Sequence, residues 1–147
     1  MNKKQKSLTN KGFSLVELII VIAIMAVLIG VLAPQYLKYV EKSRESADLS
    51  NYQEVISALQ VYASDSSNTT ALTGGTIAFA KNTVPSATGT NAITVLTSAN
   101  IVDMSKMKMK STAYSGKTLT ITIDSGVPKF TVNDATLAGE LGIGVTP

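Results

Sequence analysis

Gly12-Phe13-Ser14-Leu15-Val16-Glu17 opens an apolar run that extends to Ala33, and this stretch decides the fold of the chain. The run has about the length that a helix needs to cross a bilayer of roughly 30 Å. Only Ser14 and Glu17 are clearly polar within it. Because an ionisable side chain inside a membrane-spanning segment is costly, Glu17 is predicted to have a function and a partner.

The composition of the chain excludes several classes of function. Its 147 residues include no cysteine and no histidine, which rules out a disulfide framework and thiolate chemistry and removes the commonest general base and metal ligand. Four of the 13 basic residues precede Gly12, so the rest of the chain has nine against ten acidic residues and is nearly neutral. The basic pI therefore does not indicate nucleic-acid binding. We expect no catalytic residue, no cofactor and no metal site.

The leader, residues 1–12, is short, rich in lysine and free of acidic residues. The positive-inside rule predicts that it stays on the cytoplasmic side of the membrane. An ordinary secretory signal would have a shorter apolar core, without Glu17, and a small-residue cleavage site after it. A plain single-pass anchor fits the length of the run but gives no reason for Gly12, Phe13 and Glu17.

The basic leader, Gly12, Phe13-Ser14-Leu15-Val16-Glu17-Leu18 and the long apolar helix together resemble the class III signal of type IV prepilins and pseudopilins. The resemblance covers about the first third of the chain. It implies that a membrane prepilin peptidase cuts between Gly12 and Phe13 and then N-methylates Phe13. Glycine suits the position before the cut because it adopts the extended backbone that a protease grips. Residues 13–34 would remain in the mature protein as a transmembrane helix and later as the filament core.

Cleavage would give Glu17 a partner, because it creates a largely cationic α-amino group on Phe13. The resemblance implies that the carboxylate neutralises this amine on a neighbouring subunit, a contact that would set axial register as well as attraction. Ser14-Leu15-Val16-Glu17 is also a capping box, in which Ser14 and Glu17 satisfy backbone donors at a helix start. The two roles are compatible, one in the monomer and the other in the filament.

The helix is predicted to continue beyond the membrane, with Gly30 and Pro34 as interruptions. Pro34 removes the hydrogen bond to the Gly30 carbonyl, which favours a kink or a loosened turn; a plain boundary between membrane segment and domain is the alternative. Residues 35–64 form the amphipathic second half of the helix. Its apolar face is predicted to contain Tyr52, Val55, Ile56, Leu59, Tyr62 and Ala63, extended by Val40 and Ala47. A cluster of charges is predicted to be a solvated face: Glu41, Lys42, Arg44, Glu45 and Asp48.

Residues 65–147 are predicted to form a polar globular region with an antiparallel β-sheet. The predicted elements are a strand at 76–80, a loop at 81–91, a short helix or a strand at 92–99, and a hairpin of strands at 117–123 and 127–132. We favour the helix at 92–99, which Asn91 could cap. Pro128 cannot donate to a ladder, so its strand should lie at an edge or begin after the proline. The tail, residues 139–147, is predicted to be loosely ordered.

The hairpin has one apolar face that needs a cover, and the face around residues 52–63 is the only long one available. We therefore predict an α+β fold, in which a small antiparallel β-sheet packs on the second half of a long N-terminal α-helix. This arrangement matches the pilin fold. Many pilins close a C-terminal loop with a disulfide, which this chain lacks, so the hairpin would have to hold that region by packing alone.

Lys106-Met107-Lys108-Met109-Lys110 alternates so strictly that a strand would place all three lysines on one face. Two interpretations stay open: a solvated face whose lysines discourage aggregation, or a basic stripe that contacts an acidic neighbour, DNA or a surface polyanion. Aromatic residues that could stack bases are missing nearby. Asp124 and Asp134 are too few for a calcium site.

The resemblance implies a structural subunit of a type IV pilus, with a single-pass precursor in the cytoplasmic membrane, its N-terminus inside, and a later place at the cell surface in adhesion or twitching motility. The partners it implies are the prepilin peptidase, further copies of the chain in a helical homopolymer, the pilus assembly platform with its ATPase machinery, and the membrane; nucleic acid is not expected. A pseudopilin of a type II secretion or DNA-uptake system shares the N-terminal third. A single-pass anchored surface binding protein is the alternative from another class.

Overall fold

The computed structural model describes residues 12–146, and the chain divides into two compact units, Met1–Lys38 and Tyr39–Pro147. Helix α1, Leu15–Ser64, contributes to both units. All of the predicted leader except Gly12 lies outside the described residues.

In the first unit, α1 is apolar around its whole circumference. Every residue from 12 to 38 is exposed, although nearly all side chains between Leu15 and Ala33 are hydrophobic. By length and composition this part of the helix could cross a membrane. The helix continues through Gly30 and Pro34, and the kink expected there stays a prediction.

In the second unit, α1 buries one face of its last turns. The buried residues include the predicted Tyr52, Val55, Ile56, Leu59 and Tyr62, together with Ala58. The predicted extension of this face is partly wrong, because Ala47 is exposed and Val40 only half-buried. The helix ends at Ser64, where the Asp65 carboxylate accepts the backbone N–H of Ser67 at 2.9 Å and so begins the following turn.

A five-stranded sheet packs on this face. The elements after α1 are β1 (Gly75–Phe79), β2 (Ser86–Thr88), α2 (Ala92–Ser98), a 3₁₀ turn (Met104–Lys106), β3 (Lys117–Asp124), β4 (Val127–Val132), α3 (Ala135–Leu141) and β5 (Gly144–Val145). The strand order is β2-β1-β3-β4-β5. Strand β5 runs parallel to β4 and the other pairs are antiparallel, so the predicted α+β fold is confirmed with a mixed rather than an antiparallel sheet.

The β3–β4 hairpin is confirmed. Ser125 and Gly126 both have positive φ, at 53° and 83°, as a two-residue hairpin turn that matches the strand twist requires. Pro128 lies inside β4 opposite Ile123. Strand β5 pairs only with Thr131 and Val132, so β4 is locally an edge at the proline and the missing N–H leaves no gap in a ladder.

Two segments that were predicted to lack regular structure have it. The predicted loop at 81–91 contains β2, which pairs with β1 through Ala87 and Ile77. The predicted loose tail contains the end of α3 and β5. The carboxylate of Asp134 caps α3 by accepting the N–H of Leu137 at 2.9 Å, and Gly142 ends it in the left-handed conformation, which glycine adopts without steric cost.

Asn91 precedes α2 as predicted, but its side chain does not cap the helix. Its amide oxygen accepts the N–H of Thr73 at 2.9 Å, and its amide nitrogen donates to the carbonyl of Ala71 at 2.8 Å. The Thr90 hydroxyl instead accepts the N–H of Ala92 at 3.1 Å. Asn91 therefore fixes the chain before β1, whereas Thr90 satisfies a donor at the helix start.

The core of the second unit lies between α1 and the sheet. Tyr52 and Phe79 meet at its centre, with ring centroids 4.2 Å apart. Fully buried aliphatic residues surround them, and each such side chain contributes about 1.5–3 kcal/mol relative to an exposed one. These residues include Val55, Leu59, Ile77, Leu96, Leu119, Val132 and Leu137.

Candidate functional site

The Glu17 side chain caps the start of α1. Its carboxylate accepts the backbone N–H of Ser14 at 2.8 Å, and the N–H of Leu18 donates to the Ser14 carbonyl at 3.2 Å. This is one half of the predicted capping box. The reciprocal bond, from the N–H of Glu17 to the Ser14 hydroxyl, is not formed in the described part of the chain.

Gly12 and Phe13 lie just before the helix. Both are exposed, and the Phe13 side chain is 83% accessible. A Cβ added to Gly12 would meet no atom within 4 Å. Packing within the described chain therefore does not restrict access to the peptide bond between these residues, and their role in processing stays a prediction.

Glu17 is the only charged side chain between residues 12 and 37. An ionised carboxylate can accept about four hydrogen bonds, and Glu17 accepts one, at Oε2, within the described residues. Taken into apolar surroundings, the other oxygen would need a donor or a cation. The arrangement can thus hold a positive charge close to the backbone of Ser14, one residue after Phe13.

The cluster after residue 40 is not simply solvated. The Glu41 carboxylate accepts the backbone N–H of Thr112, and this hydrogen bond is the main cause of its lowered pKa. Its other oxygen lies 3.5 Å from the Arg44 guanidinium. Glu41 thereby joins α1 to a segment 71 residues away in the chain.

The prediction that Asp48 lies on a solvated face is wrong. Its side chain is fully buried and accepts the N–H groups of Lys110 at 2.9 Å and Ser111 at 2.7 Å. The spacing of the sequence could have indicated this burial, because Asp48, Tyr52, Val55 and Leu59 recur at helical intervals. Sequence reasoning grouped Asp48 with its charged neighbours and missed it.

The lysine-rich segment alternates in burial but is not a strand. Met107 and Met109 are buried, and the three lysines are exposed. The segment begins with the 3₁₀ turn, capped by Asp103, and makes one isolated bridge, between Lys81 and Met109. The three lysines therefore share an exposed side, as they would in a strand, although the segment is held by the Asp48 carboxylate of α1 and not by a ladder of strands.

The other two carboxylates that were considered have local partners. Asp124 lies 2.5 Å from the Lys129 ammonium, and Asp134 lies 2.7 Å from that of Lys117. Bonds from the Leu137 N–H and from Lys117 hold the pKa of Asp134 below its usual value. Among residues 12–146 no group of three or more acidic side chains could hold a metal ion.

Comparison with known proteins identifies the N-terminal segment. Residues 8–33 match the family model described as the prokaryotic N-terminal methylation motif, the class III signal peptide of type IV pilins. The motif implies processing by a prepilin peptidase and a membrane-associated precursor. Comparison with curated proteins and with solved structures gives no match.

Proposed function

We propose that this chain, a prepilin of the type IV pilin or pseudopilin type by its methylation motif, is a structural subunit of a type IV pilus. In this proposal the peptidase cuts between Gly12 and Phe13 and methylates the new amine. The assembly platform and its ATPase machinery then move the subunit from the membrane into a surface filament. The observation that carries the proposal is Glu17, the one carboxylate in the exposed apolar first half of α1.

The chemistry of the helix start supports pairing between subunits. Removal of the leader replaces the Gly12–Phe13 peptide bond with a cationic amine, while the Glu17 carboxylate keeps an oxygen without a donor in the described chain. Neither charge is stable alone in apolar surroundings. Placed together they lose much of that penalty, and the pair is satisfied at only one axial offset between neighbouring helices.

The apolar surface of α1 supports the proposal that other copies of the chain, as well as lipid, bury this surface. Large side chains from Leu15 to Leu37 are between 47% and 72% exposed in the single chain. A patch of this size requires a membrane or a protein partner. Lipid covers it in the precursor, and the same segments of other copies cover it in the proposed homopolymer. We infer no catalytic role. Three carboxylates of the second unit already serve its structure: Asp48 in backbone contacts, Asp134 as a helix cap and Asp124 in an ion pair.

The test is mass spectrometry of the N-terminus of protein sheared from cells that carry the prepilin peptidase and a pilus assembly system. We expect methylated Phe13 as the first residue in high-mass sheared material. Processed protein found only in membrane fractions would favour a pseudopilin of a secretion or DNA-uptake system. An intact leader found only in membranes would mean a single-pass anchored protein and would overturn the proposal.

A processing variant provides the control. Gly12→Leu places a bulky side chain before the cut, where the peptidase requires a small residue, and we expect unprocessed precursor and no sheared material. Gly12→Ala should retain part of the cleavage. Filaments built from unprocessed Gly12→Leu chains would show that the free amine of Phe13 is not needed for assembly.

A further inference from the structure

The basic side chains of the second unit divide into two groups. One group forms ion pairs: Arg44 with Glu41, Lys106 with Asp103, Lys117 with Asp134, and Lys129 with Asp124. The other group is exposed and lies outside the ion pairs of residues 12–146: Lys42, Lys81, Lys108 and Lys110. Lys81, Lys108 and Lys110 together form what we call the lysine surface.

The lysine surface is attached to α1 at the first turns that the helix contributes to the second unit. Glu41 accepts the backbone N–H of Thr112, and Asp48 accepts that of Lys110. The Lys81 ammonium lies 3.4 Å from the hydroxyl oxygen of Thr112. The Thr112 N–H is the main cause of the lowered pKa of Glu41, and the positive charge of Lys81 contributes to it. The lysine surface therefore lies beside the part of α1 from Glu41 to Asp48.

The hairpin turn between β3 and β4 lies near the other end of this part of the helix. Val127 lines a cavity together with Gln60, close to the end of α1. Glu41 and Gln60 are 19 residues apart in the sequence, about 28 Å along a helix. The lysine that flanks the turn, Lys129, is paired with a carboxylate. In the described part of the second unit, positive charge outside ion pairs is therefore concentrated around the start of its helix.

This start follows the predicted transmembrane segment closely in the sequence. Glu41 is only eight residues beyond Ala33, the last residue of the apolar run, and eight residues of helix measure about 12 Å. The headgroup region of a bilayer is about 5–7 Å thick on each side. When lipid covers the apolar run, the residues around Glu41 are thus within one Debye length, about 8–10 Å, of the headgroups.

Nearby acidic side chains do not neutralise the lysine surface. The Glu41 carboxylate lies 3.5 Å from the Arg44 guanidinium, and Asp48 is fully buried and binds backbone N–H groups. Three further charged residues line a cavity that none of the three lysines lines: Lys42, Glu45 and Glu140. The lysine surface therefore presents three positive charges to its surroundings.

We propose that the lysine surface binds anionic phospholipid headgroups of the membrane that holds α1. An anionic membrane surface attracts basic residues next to a transmembrane helix, and each lysine favours the bound state by about fivefold. The lysine ammonium is a compact charge that binds phosphate without a fixed geometry, as a fluid layer of headgroups requires. The contact holds the second unit of the inserted precursor at the membrane. This inference rests on the membrane association that the methylation motif implies and not on the proposed pilus.

The absence of cysteine from the chain allows one fluorescent probe to be placed beside the lysine surface. Ala113→Cys provides an exposed site next to Thr112, and Val127→Cys provides one at the hairpin turn. Full-length labelled chains are reconstituted in vesicles that contain a spin-labelled headgroup lipid as quencher. One set of vesicles consists of phosphatidylcholine, and the other contains equal parts of phosphatidylcholine and phosphatidylglycerol. We expect quenching at position 113 to be at least twofold stronger with phosphatidylglycerol, and quenching at position 127 to be equal in both.

Removal of the charges tests whether the lysines cause this difference. The combined substitutions Lys81→Gln, Lys108→Gln and Lys110→Gln should lower quenching at position 113 to its value in phosphatidylcholine. Salt at 1 M should do the same, because it shortens the Debye length to about 3 Å. Lys110→Gln alone should lower the quenching in part. Lys129→Gln, which removes one exposed lysine beside the hairpin turn, is the matched control and should leave it unchanged. Equal near-ultraviolet circular dichroism of all variants separates membrane contact from folding.

Three results would overturn the proposal. Equal quenching at position 113 in the two kinds of vesicle would show that the helix alone sets the distance to the bilayer. Unchanged quenching in the triple variant would leave the lysines as a solvated face. If phosphatidylglycerol has no effect but inorganic polyphosphate changes the fluorescence of the wild-type chain and not of the triple variant, the partner is a polyanion in solution. None of these measurements involves a filament, so the proposed function is tested separately.

Discussion

The carboxylate of Asp48 is fully buried in α1 and accepts the backbone N–H of Ser111 at 2.7 Å. The N–H of Lys110 donates to the same carboxylate at 2.9 Å, and Glu41, two turns earlier, accepts that of Thr112. Two carboxylates on one helix face thus hold three successive residues of a distant segment. In a chain without cysteine, these hydrogen bonds supplement the packing that was expected to hold the fold alone.

Asp48→Ala should therefore destabilise the second unit strongly. The substitution leaves the buried N–H of Ser111 and the partly buried N–H of Lys110 without an acceptor. A buried N–H without an acceptor costs about 1–3 kcal/mol, so we expect a loss of about 2–5 kcal/mol. Asp48→Asn keeps one acceptor oxygen and should lose less. The measurement is urea unfolding of the full chain in detergent, followed by the near-ultraviolet circular dichroism of its tyrosines. Glu54→Ala, at an exposed position of the same helix, is the control and should change the stability by less than about 0.5 kcal/mol.

The sequence predicts what depends on local pattern and misses what depends on distant partners. The face from Tyr52 to Tyr62 and the β3–β4 hairpin follow from periodicity and turn chemistry, and both are confirmed. Asp48 binds residues 62 and 63 positions away, so the helical spacing that indicates its burial does not identify its partners. Its charged neighbours instead favoured the prediction that Asp48 is exposed to solvent.

The tail shows a different limit. The tail is rich in glycine and uncharged at its end, which is typical of a loosely ordered segment. Its glycines nevertheless form the end of α3 and part of β5. Gly142 ends the helix with a φ of 67°, and Gly144 pairs with Thr131 in the sheet. A glycine required by a left-handed cap cannot be told from a glycine of a mobile tail until the neighbouring elements are known. In the candidate site, the capping geometry of Glu17 is local and half of it is formed, whereas the proposed pairing with the Phe13 amine would need another copy.

Gly75 should not tolerate a side chain. Its φ is 150°, and an added Cβ would lie 2.5 Å from the carbonyl oxygen of Thr88 and 2.6 Å from the backbone of Gly89 and Thr90. These contacts are with the backbone of β2 and its turn, which cannot rotate away. We expect Gly75→Ala to cost about 2–4 kcal/mol, the sum of backbone strain and overpacking.

Gly116→Ala is the matched control for Gly75→Ala. Gly116 also has a positive φ, at 79°, but an added Cβ there meets no atom within 4 Å. Its substitution should cost only the backbone strain, about 1–2 kcal/mol. The urea midpoints of the two variants measure the difference. Equal losses would show that contact with β2 does not determine the need for glycine at position 75.

Asp134 should make the stability of the second unit depend on pH. The N–H of Leu137 and the Lys117 ammonium lower its pKa in the folded state. A carboxyl with a depressed folded pKa adds stability above its unfolded pKa, about 3.9, and loses it as the pH falls through the lower folded value. Urea midpoints measured from pH 7 to pH 3 should decrease less in Asp134→Asn than in wild type. At pH 7, Asp134→Ala should cost about 1 kcal/mol through loss of the helix cap.

Lys117→Met separates the ion pair from the cap. It removes the ammonium partner of Asp134 while the carboxylate still accepts the N–H of Leu137. Its pH dependence should lie between those of wild type and Asp134→Asn. A pH profile of Asp134→Asn that coincides with wild type would mean that another carboxylate controls the acid unfolding.

A single series of substitutions at Glu17 distinguishes its capping role from its proposed charge pairing. Glu17→Gln keeps an amide oxygen that can accept the N–H of Ser14 but removes the negative charge, whereas Glu17→Ala removes both. If charge pairing with the Phe13 amine drives assembly, both variants should be processed and inserted normally, and both should lower the yield of sheared filaments at least tenfold. If the helix cap is what assembly needs, Glu17→Gln should assemble like wild type and Glu17→Ala should not. Ser14→Ala, which retains the backbone N–H that Glu17 binds, should assemble normally in either case. Wild-type yields from Glu17→Ala would remove both roles from assembly and leave Glu17 as a cap of the monomer.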